Sequence, residues 1–346
     1  MKMKAAILTE QNKPLVIDDV GLPEKLDFGQ VLVQVKYSGI CGSQIGEING
    51  VKGVDYYLPH LLGHEGSGIV MDMGPGVINL KKGDHVVMHW KIGKGLPSFT
   101  PNYSWENKKL NAGYVTTFNE LAIVSENRLT KIGKEVNLEV AALFGCAVTT
   151  GLGVINNNAN VKIGESVVLF GSGGIGLNII QGAAMVSANP IIAIDLYDEK
   201  LELARMLGAT HIINSKKSDP KKAIKDILNN QNPDVVIDNT GNVNIIQLAY
   251  EMTSKSGRTI LVGVPNFKEK VSINTLPLHF EKILTGSHGG ETQPEKDILR
   301  YLKLYQNGKL KLDGLVTDRF NLNEINRAIT LMNEGKVTGR CLIKVS

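Results

Sequence analysis

The sequence predicts an α/β protein in two parts, a β-rich unit and a doubly wound parallel sheet. Three observations carry that reading. Short apolar runs broken by glycine, proline and asparagine fill residues 1 to about 150. From about 151 to 286 the pattern becomes strand, helix, strand. Within that stretch an apolar run closes on a glycine cluster, Val167-Val168-Leu169-Phe170-Gly171-Ser172-Gly173-Gly174-Ile175-Gly176.

In the first part the strand candidates are Ala5 to Leu8, Val31 to Val35, Ser67 to Met71, His85 to Met88 and Leu121 to Val124. Strands this short and frequent suit a partly open barrel or sandwich. Residues 89 to 113 read as a long polar loop dotted with aromatics, and so long a loop in a compact domain is more often functional than idle.

In the second part the strand candidates are Val167 to Phe170, Ile191 to Ile194, His211 to Ile213, Val235 to Ile237, Thr259 to Val262 and Ile283 to Gly286. Helical patterns such as Glu199 to Leu207 and Pro220 to Asn229 separate several of them. Pro294 to Gln306 and Asn323 to Glu334 read as amphipathic helices, and Arg340 to Val345 as a closing strand.

The glycine cluster has the spacing G-x-G-x-x-G, and Leu177 to Met185 continues as helix. Gly171 permits the tight turn, Gly173 the approach of backbone to a pyrophosphate, and Gly176 close helix–strand packing. The amides of Gly174 and Ile175 open the helix, where free N–H groups and the positive dipole end favour phosphate. Asp195 ends the next apolar run about 20 residues on, where a carboxylate meets the adenosine ribose hydroxyls. The pattern predicts dinucleotide binding; a βαβ turn without ligand is the plainer alternative.

Composition narrows the function. The 346 residues suffice for two domains with sizeable cores. Apolar residues make up 42% and charged residues 21%, as in ordinary soluble proteins. The net charge is +4 with lysines spread along the chain, so no nucleic-acid partner is expected. No uninterrupted apolar run reaches membrane length and the N-terminus lacks a signal-peptide core, so neither membrane insertion nor export is expected. Three cysteines, Cys41, Cys146 and Cys341, make no disulfide framework. A cytoplasmic protein is expected, with cysteines to be asked about metal or catalysis.

Cys41-Gly42-Ser43, then Gly63-His64-Glu65, then Gly145-Cys146 supply two thiolates, an imidazole and a nearby carboxylate. Three protein ligands with an open fourth position describe a catalytic zinc site. On spacing alone, burial of two small cysteines and a core histidine is the plainer reading. The ordered set of these elements with Gly63-His64-Glu65-Gly66-Ser67-Gly68, Gly83-Asp84, Thr150-Gly151, the Gly171 to Gly176 loop, Asp195 and Gly339-Arg340 resembles the zinc-type medium-chain dehydrogenase/reductase family. The resemblance spans nearly the whole chain and lies nearer the alcohol, polyol and threonine dehydrogenases than the zinc-free quinone reductases.

That resemblance implies a GroES-like catalytic domain over 1–150 and 287–346, with a Rossmann domain inserted over 151–286 and the active site in the cleft between them. It implies that Cys41, His64 and Cys146 hold one catalytic zinc per chain, with Glu65 as an adjacent carboxylate able to enter its coordination. Ser43 would take the substrate proton. Thr150, Val262 and Val264 would line the nicotinamide, Asp195 and Lys200 would hold the adenosine ribose, and Arg340 the pyrophosphate. Trp90 falls at an aromatic wall of the substrate pocket. A homo-dimer or homo-tetramer is implied as well.

Two departures stand out. Gln44 replaces a usually acidic residue that would orient a metal ligand. Gly46 stands near a histidine that ends the proton relay in some relatives, so the proton would leave through Ser43, the cofactor ribose and water, or through another base, for which His89 is a candidate. Residues 89 to 113 contain no cysteine, so no structural zinc is expected; Trp90, Phe99, Tyr103 and Trp105 would hold the loop by packing.

Such a site would pass hydride between an alcohol and a nicotinamide, with zinc as Lewis acid. Asp195, followed by Leu196-Tyr197-Asp198-Glu199, favours NAD over NADP, because a 2′-phosphate would face carboxylate. Tyr56, Tyr57, His89, Trp90, Lys91 and Lys94 suggest a polar, partly cationic mouth for a polyol, sugar or phosphorylated alcohol, unless the lysines merely keep a loop soluble. The rivals are a zinc-free quinone or enone reductase and a catalytically silent dinucleotide-binding protein.

Overall fold

A computed structural model describes all 346 residues, which fall into two compact units. The first comprises Met1–Cys146, Gln293–Gln306 and Leu312–Ser346; the second comprises Ala147–Thr292 and Asn307–Lys311. No single helix is long and apolar enough to cross a membrane.

The first unit opens with β1 (Lys2–Leu8), β2 (Val16–Gly21), β3 (Gln30–Gly39), the short helix α1 (Gly42–Ile48), β4 (His60–Leu61), β5 (Glu65–Met73) and β6 (His85–His89). It continues with β7 (Tyr103–Trp105), β8 (Lys108–Leu110), β9 (Leu121–Ser125), β10 (Leu129–Ile132) and α2 (Leu138–Ala142). One sheet has the order β4-β1-β2-β7-β8. The other is built on β3, whose Val31, Val33 and Val35 are fully buried while Leu32, Gln34 and Lys36 are less so. That period of two turns one face of the strand to the core.

The segment 89–113 corrects the expectation of a long polar loop. It contains the β7–β8 hairpin, which joins the sheet where Gly21 faces Ser104. Tyr103 is buried and its hydroxyl accepts the Ile123 N–H at 2.7 Å; Trp105 Nε1 donates to Asp18 Oδ2 at 2.8 Å. Phe99 is 87% exposed and contributes no packing. Its place is taken by buried Glu126, whose carboxylate accepts the Leu96 N–H at 2.7 Å and two N–H groups of Asn79.

The second unit starts with α3 (Ala147–Gly153), β11 (Val167–Phe170), α4 (Gly174–Met185), β12 (Ile191–Asp195), α5 (Asp198–Met206) and β13 (His211–Asn214). Then come α6 (Pro220–Ile227), β14 (Val235–Asp238), α7 (Val243–Met252), β15 (Arg258–Leu261) and β16 (Ile283–Gly286). The six strands are all parallel in the order β13-β12-β11-β14-β15-β16. Strand order reverses between β11 and β14, and ligands of such sheets bind outside the carboxyl ends at that switch. β11 and β14 are buried throughout, as strands covered on both faces must be.

The chain then returns through α8 (Pro294–Gln306), β17 (Val316–Asn321), α9 (Ile325–Asn333) and β18 (Arg340–Lys344). β18 pairs antiparallel with the end of β3, Leu342 facing Gly39, so the C-terminal strand completes the first unit's larger sheet.

Candidate metal centre and cofactor site

Three separate loops bring the metal-ligand candidates together. Cys41 sits in extended backbone between β3 and α1. His64 follows Gly63, whose φ of +92° suits glycine, and a Cβ on Gly63 would stand 2.8 Å from the Phe118 nitrogen. Cys146 follows Gly145, where a Cβ would lie 2.8 Å from Glu65 Cα. Only glycine lets the Cys146 turn come that close to β5.

Cys41, His64 and Cys146 each offer a ligand atom within 4.8 Å of the other two. The two sulfurs are 3.9 Å apart. Sulfurs each 2.3 Å from a tetrahedral ion lie about 3.8 Å apart, so the pair is spaced for zinc and too wide for a disulfide. His64 Nε2 is buried and makes no hydrogen bond. A buried ring nitrogen without a partner beside two thiols is what metal ligation requires. The Cys146 sulfur, with His64 and the Arg340 guanidinium, holds the Cys41 thiol well below its ordinary range, although burial pushes it the other way. The donor set therefore fits zinc.

Ser43 is half-buried on the first turn of α1, and its Oγ donates toward Cys41 Sγ at 3.7 Å. Glu65, next to His64, is fully buried at the start of β5, and its carboxylate pairs with the Arg340 guanidinium. Arg340, expected at a pyrophosphate, is likewise buried and directed at Glu65. A Cβ on Gly39 would sit 2.6 Å from Glu65 Oε1 and 2.9 Å from Arg340 Nη2, so the glycine gives this pair its room.

Gln44 accepts the Gly63 N–H at 2.5 Å and donates from Nε2 to Glu47 Oε2 at 2.9 Å. It thus fixes the backbone leading into His64, in place of a carboxylate on the ring. His89 is a correction. Its Nδ1 lies 2.8 Å from the Lys91 carbonyl and its Nε2 3.0 Å from Thr130 Oγ1, in the core of the sheet. Burial pushes its pKa down to about 4. With both nitrogens engaged and the ring sealed, it is a structural histidine and not a relay base. Trp90 is half-buried against the hydrophobic core; Arg128 donates to its carbonyl, and Lys91 Nζ lies 5.8 Å from its ring centroid. Cys341 is buried, with its thiol pushed up to about 12 by that burial.

In the second unit the glycine loop joins β11 to α4. Gly171 has φ +94°, and a Cβ on Gly176 would lie 3.2 Å from Asn239 Nδ2. A Cβ on Gly173 would meet nothing within 4 Å, so space lies open at the helix N-terminus, beside Gly174 and Ile175. Asp195 ends β12. Its Oδ2 accepts the Ser172 N–H at 2.8 Å, and its Oδ1 those of Leu196 and Tyr197. Three main-chain donors fix the carboxylate against the loop. This arrangement fits a dinucleotide. Lys200 lies near, its Nζ 5.1 Å from the Tyr197 ring centroid. Thr150 is buried in α3, whose Gly151 leaves room for a close approach of α4 at Asn178.

Val262 and Val264 follow β15, Val262 half-buried and Val264 53% exposed. Two residues escaped the sequence reading. Buried Asp238 accepts from the Thr240 hydroxyl at 2.6 Å and from the Thr240 and Gly241 amides, shaping the loop after β14. Asn239 donates to the Gly171 carbonyl at 3.1 Å, tying that loop to the glycine turn. The available signal was the Asp238-Asn239 pair closing an apolar strand, the same position that Asp195 holds on β12.

Comparison with known proteins agrees with this geometry. Residues 27–134 match the alcohol dehydrogenase GroES-like domain and residues 174–306 the zinc-binding dehydrogenase domain. An S-(hydroxymethyl)glutathione dehydrogenase of Escherichia coli is 36% identical over 369 aligned positions, covering 97% of this chain and 98% of the relative. Benzyl alcohol dehydrogenase from Acinetobacter calcoaceticus superposes with a TM-score of 0.89 at 29% identity, covering 100% of both chains. An alcohol dehydrogenase zinc-binding domain protein from Burkholderia ambifaria gives 0.90 at 26% identity, covering 100% of this chain and 99% of the other. A three-ligand thiolate–imidazole set, a parallel sheet in dinucleotide-binding order and this likeness along the whole chain make the protein a member of the zinc-type medium-chain alcohol dehydrogenase family.

Proposed function

We propose that the protein is an NAD-dependent zinc alcohol dehydrogenase that interconverts a secondary alcohol, polyol or sugar with its carbonyl product. The observation that carries the reading is the buried, unpartnered His64 Nε2 beside two sulfurs 3.9 Å apart. A zinc-free reductase has no use for that set, and a silent binding protein would not need it kept clear of other partners.

Cys41, His64 and Cys146 would hold one catalytic zinc. When bound, the ion supplies Lewis acidity to the substrate oxygen and the nicotinamide supplies the hydride chemistry. Ser43 Oγ, beside Cys41, is the hydroxyl available to move the substrate proton. The buried Arg340 guanidinium favours the thiolate form of Cys41, and Glu65 holds that guanidinium in place. The glycine loop and the amides at the start of α4 would receive the pyrophosphate, and Asp195 the ribose hydroxyls. Asp195 repels a 2′-phosphate, which supports NAD over NADP. Thr150, Val262 and Val264 would border the nicotinamide.

The exposed edge strand β16, with Ile283 47% and nearby Phe280 67% exposed, supports self-association into a dimer or tetramer. The test is metal content of the purified protein, with NADH absorbance across a screen. The screen includes polyols, sugar alcohols, benzyl alcohol, butane-2,3-diol and S-(hydroxymethyl)glutathione. We expect about one tightly held zinc, turnover with NAD, and loss of both in Cys41→Ser. Full turnover by zinc-free protein would overturn the proposal.

A further inference from the structure

A second convergence of donor atoms lies in the first unit. Glu47 at the end of α1, Asp55 in the following loop and His60 at the start of β4 each offer a ligand atom within 4.8 Å of the other two. His60 Nε2 is 2.8 Å from Asp55 Oδ2 and 3.8 Å from Glu47 Oε1. His60 and Asp55 are nearly sealed from solvent, each side chain 9% exposed, while Glu47 reaches the surface at 31%.

The far side of each group is already tied down. Asp55 Oδ1 accepts the Tyr57 N–H at 2.8 Å, and Glu47 Oε2 accepts from Gln44 Nε2 at 2.9 Å. His60 Nδ1 is 2.9 Å from the Leu61 carbonyl oxygen. A carbonyl oxygen only accepts, so Nδ1 carries the hydrogen. A neutral imidazole then turns a bare lone pair at Nε2 toward a carboxylate 2.8 Å away. Two acceptors do not sit at that distance unless a proton or a cation bridges them. The bridge is a proton, on the ring or on the carboxyl, or a metal ion set to one side of the pair at about 2.1 Å from each atom.

We propose that Glu47, Asp55 and His60 bind a divalent cation of the zinc or manganese class, separate from the Cys41–His64–Cys146 centre. One imidazole and two carboxylates suit such an ion; the nitrogen donor disfavours calcium and magnesium, and the lack of a thiolate disfavours copper(I). The ring N–H given to a main-chain carbonyl, and the carboxylates braced by outer hydrogen bonds, are the supports a ligand set needs. Gln44 joins this cluster to the Gly63 N–H, so a bound ion would also brace the turn that carries His64. The inference stands apart from the catalytic proposal, since none of its donors belongs to that centre.

The test uses the full-length chain stripped of metal and titrated with Mn²⁺, the free ion followed by its paramagnetic resonance signal. Zn²⁺ content is measured in parallel. A Cys41→Ser, Cys146→Ser background removes the thiolate centre and should still bind one Mn²⁺. Asp55→Asn should weaken that binding at least tenfold, and in the otherwise native chain it should lower saturated zinc content from two to one. The zinc remaining at the thiolate centre shows that Asp55→Asn has folded; should it not fold, Glu47→Gln, at the more exposed position, carries the same expectation. Equal Mn²⁺ binding by parent and variant overturns the proposal. So does nitrogen NMR showing both His60 ring nitrogens protonated under saturating Zn²⁺, which would make the triad an imidazolium ion cluster.

Discussion

The metal centre and the dinucleotide loop are built by opposite means. The loop is one strand, one turn and one helix, Val167 to Met185, and its parts reach each other through main-chain groups. Asp195, on the neighbouring strand, is held by the Ser172 amide. The metal centre draws on positions 41, 64 and 146, with Arg340 from the far end of the chain, and nothing local joins them. It depends on buried side-chain pins: Gln44 on Gly63, and Arg340 on Glu65. A site made of backbone should lose function locally when a side chain is cut. A site made of buried pins should lose the scaffold with it.

The largest effect is therefore expected at Glu65. Glu65→Ala strands a buried guanidinium, and breaking such a pair by removing one partner costs on the order of 3–5 kcal/mol. Denaturant unfolding of the first unit should show that loss, and zinc content should fall with it, because Arg340 beside Cys41 would no longer be held. Replacing both partners with methionine should recover part of the stability, since no charge is left unpaired. A Glu65→Ala chain as stable as its parent would mean that the pair is not a scaffold and that the contrast with the loop fails.

Asp195→Ala should do less and do it elsewhere. Hydrogen bonds to a charged group contribute about 1.5–3 kcal/mol. The Michaelis constant for NAD should rise roughly 10- to 100-fold, and the preference over NADP should shrink, with the carboxylate's repulsion gone. Thermal stability should fall modestly, because the buried Ser172 amide loses its acceptor, while zinc content should stay near the parent. Steady-state kinetics with both cofactors, alongside a melting curve, separates this outcome from a general loss of fold.

The same contrast decides what could be read from the sequence. The parallel sheet and its glycine turn were legible because each carries its signal within a short window: an apolar run, a glycine spacing, a carboxylate about 20 residues later. In the first unit β1, β3, β5, β6, β9 and β18 were legible for the same reason, whereas β2, β10 and β17 were not among the strand candidates. The three metal ligands were not legible from spacing, and only likeness to a family linked them. Glu65 with Arg340 lay further out of reach, since a pairing across 275 positions leaves no local pattern. The β7–β8 hairpin was hidden because its strands are three residues long, too short for an alternation to show. His89 misled for a related reason. A histidine near a glycine-rich loop looks available for proton transfer, and nothing in its neighbours announces that Thr130 closes over it.

His89 supplies the smallest expected effect on turnover and the sharpest check on which histidines serve the chemistry. Its native pKa is pushed down to about 4 from the ordinary 6.5. An unfolded chain takes up a proton near pH 6.5 that the native ring refuses until about pH 4. Stability therefore falls as pH drops through that window, by about 3 kcal/mol in all, and the contribution is fully present above it. His89→Asn should flatten this part of the stability–pH curve, with a pH-independent loss of about 1–3 kcal/mol if Thr130 or the Lys91 carbonyl goes unpartnered. Above pH 6.5 the pH profile of kcat should match the parent, because a neutral, sealed ring exchanges no proton there. An acid limb seen above pH 6.5 in the parent and lost in His89→Asn would return His89 to the proton path and make the buried ring of the sheet part of the active centre.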